Sequence, residues 1–432
     1  MANTKELIKS IEGGAYDATF RKLYDNSEAA VATQRARYAD TVRRFAEIYG
    51  EEREVSIYSA PGRTEIGGNH TDHNNGIVMA AAVNLDVIAV VSKNDENIAR
   101  VKSYGFDKQD VIDLAQLSPN ESEFGRSGAL IRGVAAGIVQ QGGSIGGFDA
   151  YTTSNVLRGS GLSSSAAFEV VIGAVLNGEY NNGKFSAVDI AKISQYAENV
   201  FFGKPSGLMD QTASSVGSAI TIDFKDPANP IVTEVPFDLA KYGFRLCITD
   251  TKGSHADLTD DYAAIRSEME SVAAVFGKKV LREVDECEFF AKIAEIREKT
   301  GDRAILRAIH FFADCKRACD LRDAVKDDRF DDFLRLIIDG GNSSFEYNQN
   351  AYSIKHPQQQ GMAIGVAVSQ KILYGQGAWR LQGGGFAGTI QAFVPDALLN
   401  EYCAEMEQLF GEGACYVLSV RNYGNIKVTE NI

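Results

Sequence analysis

The segment Asn155-Val-Leu-Arg-Gly-Ser-Gly-Leu-Ser-Ser-Ser-Ala-Ala-Phe-Glu169 constrains the fold more than any other stretch of the chain. Residues 148–155 read as strand and 166–176 as helix, so the segment must turn a strand into a helix across Gly159 and Gly161. Glycine lets backbone amides approach a ligand closely, and a helix N-terminus contributes about half a positive charge. Gly159, Ser160, Gly161, Leu162, Ser163, Ser164 and Ser165 can therefore cradle a phosphate, with hydroxyls left over to bond it or to ligate a cation. The same residues also suit a well-capped helix after a tight turn, because Ser is common at helix starts. No GxxxxGK[ST] occurs anywhere, which excludes a Walker-type loop.

Two further segments carry unusual residues. Pro61-Gly-Arg-Thr-Glu-Ile-Gly-Gly-Asn-His-Thr-Asp-His-Asn-Asn-Gly76 packs Arg63, two acids, two His and three Asn between strand-like runs at 56–60 and 77–92. It is expected to be a turn region. Its polar density fits a hydroxyl-rich small ligand, and an irregular polar loop fits it as well. A metal at His70 and His73 lacks a third ligand in a chain with five His. Gly383-Gly-Gly-Phe-Ala-Gly388 formally matches GxGxxG, but residues 389–394 read as strand. A dinucleotide fingerprint must open a helix, so that reading is rejected.

At 432 residues two domains are expected, with the boundary in the turn-rich patch 227–236. Strands and helices mix without regular βαβ alternation, which favours α+β. The formal charge of −14 disfavours nucleic acid or an anionic membrane as the main partner. Six cysteines give no disulfide framework; Cys315 and Cys319 lie one helical turn apart with no His nearby, and buried or idle thiols are expected. The first residues are charged where a signal peptide needs an apolar run. The most apolar stretch, 77–91, is broken by Asn84 and Asp86, so a cytoplasmic protein is expected.

Taken in order, these segments resemble the three motifs of the GHMP kinase superfamily, and of galactokinases in particular. Gly62, Arg63, His70-Thr-Asp72 and Asn74 match G-R-V-N-L-I-G-E-H-T-D-Y-N, the serine-rich segment resembles P-L-G-x-G-L-S-S-S-A, and Gly383–Gly388 resembles G-G-G-F-G-G. Gly203-Lys-Pro-Ser-Gly-Leu-Met-Asp-Gln211 resembles the segment carrying the family's catalytic aspartate, and His255 followed by Tyr262 fits a further family pattern. The resemblance covers about residue 34 onward. It implies a two-lobed α+β architecture with the site in the cleft: an ATP- and sugar-binding domain at 34–226 and a C-terminal domain at 227–432, while residues 1–33, helical by their spacing, are an extension left unassigned.

The implied activity is transfer of the γ-phosphoryl group of MgATP to the anomeric hydroxyl of galactose. Asp210 would accept the hydroxyl proton, with Arg63 beside it holding the carboxylate ionised. Residues 159–165 would cradle the triphosphate, and Ser165 and Glu198 would hold Mg²⁺. Asn69, His70, Asp72, Gly207 and Tyr262, with Arg63 and Asp210, would line the sugar pocket. The adenine is expected near 92–104. Departures from the family pattern are Asn69 for Glu, Glu65 for Asn, His73 for Tyr, Leu157 for Pro and Ser160 for Gly. They leave open a kinase for galacturonate, N-acetylgalactosamine or arabinose, and, from another class, a catalytically silent sugar sensor. The oligomeric state is not legible.

Overall fold

A computed structural model describes residues 2–156, 161–254 and 257–430. Its two longest strands, Glu54–Gly67 and Ile77–Lys93, pair antiparallel, with Arg63 opposite Ala82 and Glu65 opposite Ala80. The turn expected over 61–76 is thus shorter than the composition suggested. Bulges after Pro61 and after Glu65 let the strand run through to Gly67. Only residues 68–76 turn, through a single 3-10 turn at Asp72–Asn74 and left-handed backbone at His70 and Asn75.

Around this pair a nine-stranded mixed sheet forms. Ile77–Lys93 also pairs with Phe148–Ser154 and with Ala219–Asp223, while Ile98–Ser103 runs parallel to Phe148–Ser154. Burial on both faces explains why Ile77–Lys93 is mostly apolar on both of its alternating sides. Val87, Ala89 and Val91 face a core shared with Val134, Ile138, Val170 and Val175, from the helices Ser127–Gln140 and Ser164–Tyr180. Ile88 and Val90 face the other way, onto Leu7, Phe20, Tyr38 and Phe45.

Those last residues come from the helices Thr4–Glu12, Asp17–Leu23 and Glu28–Tyr49, so residues before 34 cover one face of this sheet. A buried network pins them. Asp86, fully buried, accepts from Tyr24 Oη at 2.5 Å, Arg37 Nη1 at 2.7 Å and Arg421 Nη1 at 3.0 Å.

Residue 227 falls within the hairpin between Ala219–Asp223 and Ile231–Val235, and the chain leaves the first sheet after Val235. It returns at Ile426–Lys427, which pairs with Glu54–Gly67. Between these points lies a four-stranded antiparallel sheet, Ala378–Leu381, Thr389–Pro395, Phe244–Asp250 and Cys415–Leu418, packed against the helices Gly361–Leu373 and Leu399–Phe410. Gly383–Gly388 is the loop of its Ala378–Leu381/Thr389–Pro395 hairpin, which accounts for a GxGxxG pattern with no helix after it.

Candidate active site

Arg63 is the hub of the site. Its strand passes directly beneath the serine-rich segment: the Arg63 N–H donates to the Leu162 carbonyl at 3.1 Å. A Cβ on Gly62 would lie 2.8 Å from that same oxygen, so only glycine fits there. The guanidinium grips Asp210 side-on, Nε to Oδ1 and Nη2 to Oδ2, both at 2.7 Å, and its Nη1 donates to the Gly161 carbonyl. Asp210 sits in the first turn of the helix Met209–Val216, and Ser163, which precedes the helix Ser164–Tyr180 with φ 56°, donates its hydroxyl to Asp210 Oδ2. Burial would raise the Asp210 carboxyl, but Arg63 and these hydrogen bonds prevail and hold it below its ordinary value of 3.8.

The serine-rich segment thus meets the aspartate directly through Ser163 and also through the Arg63 guanidinium. Leu162 is buried beneath it and Ser164 opens the helix. Gly159 and Ser160 lie outside the described residues, as does His255.

Behind this pair lies a second polar cluster. Ser165 Oγ donates to Glu198 Oε1 at 3.1 Å, and Glu198, 1% exposed, also takes Lys204 Nζ at 2.7 Å and Gln211 Nε2 at 2.9 Å. Glu169 is buried nearby, bonded to Gln211 Nε2 at 3.1 Å with its Oε1 left without a partner. Burial and then the Glu198 charge push its carboxyl well above the usual range. Two carboxyl groups, one with an unpartnered buried oxygen, and a hydroxyl, with an ammonium already drawn to them, could hold a hard divalent cation such as Mg²⁺.

Two of the remaining expected sugar residues, His70 and Tyr262, touch the glycine hairpin. His70 Nε2 lies 2.9 Å from the Gly384 carbonyl, and Tyr262 Oη donates to the Gly385 carbonyl at 3.0 Å. Burial, then the neighbouring His73 ring, lower His70 to about 4, so it is neutral and donates here from Nε2. A Cβ on Gly384 would lie 2.6 Å from the Tyr262 ring, and one on Gly207 would lie 2.5 Å from Asp72 Oδ2. Glycine at these positions leaves room for the Tyr262 ring and for the Asp72 carboxylate.

Asn69 is 0% exposed, and its amide is used up within the protein: Nδ2 donates to Glu65 at 3.0 Å and to the Gly383 carbonyl at 2.7 Å, and Oδ1 accepts from Asn350 at 2.8 Å. In this structure the Asn69 side chain ties the Arg63 strand to the glycine hairpin. The swap of acid and amide at 65 and 69 keeps a carboxylate–amide pair, and Arg380 Nη2 completes it at 2.8 Å from Glu65.

Sequence reasoning missed Glu169, Gln211 and Lys204. Glu169 was readable as one helical turn beyond Ser165, on the same face. Gln211 and Lys204 lie within the Gly203–Gln211 motif, but their contacts depend on how its loop folds back on Glu198.

Comparison with known proteins adds independent information. The family description "Galactokinase galactose-binding signature" matches residues 43–93, and "GHMP kinases N terminal domain" matches 129–218. A galactokinase of Streptomyces coelicolor is 30% identical over 382 residues, covering 85% of this chain and 91% of that protein. One from Actinobacillus pleuropneumoniae serotype 3 is 32% identical over 358 residues, covering 82% and 88%. In fold, the structure of Lactococcus lactis galactokinase complexed with galactose superposes with a TM-score of 0.78 at 23% identity, over 91% of this chain and all of that one. Methanococcus jannaschii mevalonate kinase gives 0.60 at 14% identity, over 85% and 98%.

Proposed function

The chain belongs to the galactokinase family of the GHMP kinases, and on that premise we propose that Asp210 and Arg63 are the pair at which the γ-phosphoryl group of ATP passes to galactose. The activity is that of an ATP-dependent phosphotransferase with an alcohol acceptor, giving galactose 1-phosphate and ADP.

The observation that carries the assignment is the side-on Arg63–Asp210 contact lying against Ser163 and the Gly161 carbonyl. Phosphoryl transfer passes through a loose transition state with little bond formation to the nucleophile, so it asks mainly for positioning and charge neutralisation. A carboxylate held below its ordinary pKa is a modest base. It suits a proton that becomes acidic only as the new O–P bond forms, and Asp210 takes that proton at a carboxylate oxygen. Arg63 keeps Asp210 ionised beforehand and places a fixed cation between it and the serine-rich segment.

Ser165 and Glu198 would hold Mg²⁺, with Glu169 behind them. When bound, the ion neutralises charge on the β- and γ-phosphates. Support comes from the Lys204 ammonium resting on Glu198 and the unpartnered Glu169 oxygen. His70, Asp72, Gly207 and Tyr262 would line the sugar side, as in the family pattern. The departure at Asn69 is absorbed by Glu65 inside the protein, which favours galactose over galacturonate, N-acetylgalactosamine or arabinose. Six free cysteines and no pairing among them support a reducing, cytoplasmic setting.

ADP release over a sugar panel with MgATP tests the reading. Galactose should give the highest kcat/KM. Turnover with galacturonate exceeding that with galactose would reject the substrate, and no turnover with any sugar would favour a silent sensor.

A further inference from the structure

Three cysteines far apart in the sequence converge in the second lobe. Cys415 stands opposite Thr249 in the sheet register and Cys247 opposite Val417, so the two are diagonal neighbours on one face of adjacent strands. The helix Leu399–Phe410 lies on that face and brings Cys403 to them, with Tyr402 and Met406 packed alongside Cys247. The three sulfurs all lie within 4.8 Å of one another, and Cys403 and Cys415 are 3.7 Å apart. None is in a disulfide. Cys247 is buried and Cys403 is half-buried, so Cys403 marks the more exposed side of the cluster.

This spacing is close to what one soft metal ion requires. Thiolates about 2.3 Å from a common centre in tetrahedral or trigonal geometry stand about 3.8–4.0 Å from one another, so only small side-chain rotations separate the observed arrangement from coordination. Among the described residues no His, Asp or Glu joins the three, so the donor set is sulfur alone. Sulfur-only donors select thiophilic d¹⁰ cations and reject Mg²⁺.

We propose that Cys247, Cys403 and Cys415 form a trithiolate site for a thiophilic divalent cation, Zn²⁺ in the first place, with water as the fourth ligand. The site clamps the Leu399–Phe410 helix to the four-stranded sheet. It is separate from the oxygen-donor cluster at Ser165 and Glu198. Binding forms three S–Zn bonds and releases to solvent the proton of each cysteine that was a thiol. No electron moves.

The test uses the full chain, reduced and metal-free, titrated with Co²⁺ as a spectroscopic probe. Thiolate-to-Co²⁺ charge transfer cannot arise from the Ser165–Glu198 cluster, so it reports on cysteine alone. The expected result is a charge-transfer band saturating at one Co²⁺ per chain and bleached by Zn²⁺. It should be unchanged in Cys287→Ser, an exposed cysteine outside the cluster. In Cys403→Ser binding should weaken by at least about tenfold, and in Cys403→Ser/Cys415→Ser the band should vanish. Zn²⁺ should raise the Tm of the wild type and not of the double variant. Galactose-dependent ADP release measured alongside reports that each variant is folded. The proposal is overturned by any of three results: no thiolate band in the wild type, a band that persists in the folded double variant, or a chain isolated without metal in which Cys403 and Cys415 are joined as a disulfide.

Discussion

Replacing Asn69 by Glu restores the usual family residue at that position, and the structure makes it costly. The Asn69 amide nitrogen lies 3.0 and 3.3 Å from the two oxygens of Glu65. Two carboxylates about 3 Å apart would repel by about 5 kcal/mol at an effective dielectric constant near 20. Burial, opposed chiefly by Arg380, already places Glu65 at about 7, so a shared proton relieves much of that repulsion at neutral pH. What remains is the residual repulsion and two lost donor contacts, to Glu65 and to the Gly383 carbonyl, at about 1 kcal/mol each. The expected loss is about 2–4 kcal/mol. Its sign with pH follows from the proton: the acid pair binds it more tightly in the folded state than when unfolded, so the deficit shrinks at pH 6 and grows at pH 8. Urea unfolding of Asn69→Glu and of the swap Glu65→Asn/Asn69→Glu at both pH values measures this. The swap should recover at least half of the loss. A single variant within about 0.5 kcal/mol of wild type at pH 8, or a swap no more stable than the single change, would refute the pairing. A rise in the galactose-to-galacturonate kcat/KM ratio at unchanged stability would return residue 69 to the sugar pocket.

Ser165→Ala and Glu198→Ala should each raise the free Mg²⁺ needed for half-maximal activity, and unchanged half-saturation in both would reject that cluster as the metal site. Asp86→Ala leaves Arg421 buried and unpaired, so it should cost about 3–5 kcal/mol in unfolding experiments. Burial opposes Asp86 ionisation, but Arg37 and Arg421 prevail and lower its pKa, so its contribution is complete above the ordinary 3.8. The gap between wild type and variant should therefore close only as pH falls through that value and below. A gap that closes on raising the pH instead would contradict the network.

The chain's sequence exposed its chemistry more fully than its packing. Arg63, Asp210, Ser163 and the Gly383–Gly388 segment were legible because glycine, hydroxyl and charge recur there in unusual density, and the structure brings the first three into contact. The long strand Ile77–Lys93 was legible from its apolar run, whereas its continuation partner over 61–67 was not. Pro61, Gly62 and Gly67 signal turns locally, and only pairing with residues 79–86 holds them extended. The helices before residue 34 could be read as helices, but their docking rests on Tyr24 and Arg37 meeting Asp86, a contact invisible to periodicity. The cysteine cluster was missed for the same reason: three residues on two strands and a helix share one point only after the second sheet has formed. The partners of Asn69 were not legible either, because a motif position fixes where a residue lies along the chain and not which way its side chain faces.

The central claim is that Asp210, held ionised by Arg63, accepts the proton of the attacking hydroxyl. Asp210→Asn tests it most directly, since the substitution keeps the shape and removes the acceptor charge. Galactose-dependent ADP release at saturating MgATP should fall by about 10²–10⁴-fold while the Kd for MgATP stays within about twofold of wild type. Turnover within about threefold of wild type would contradict the account.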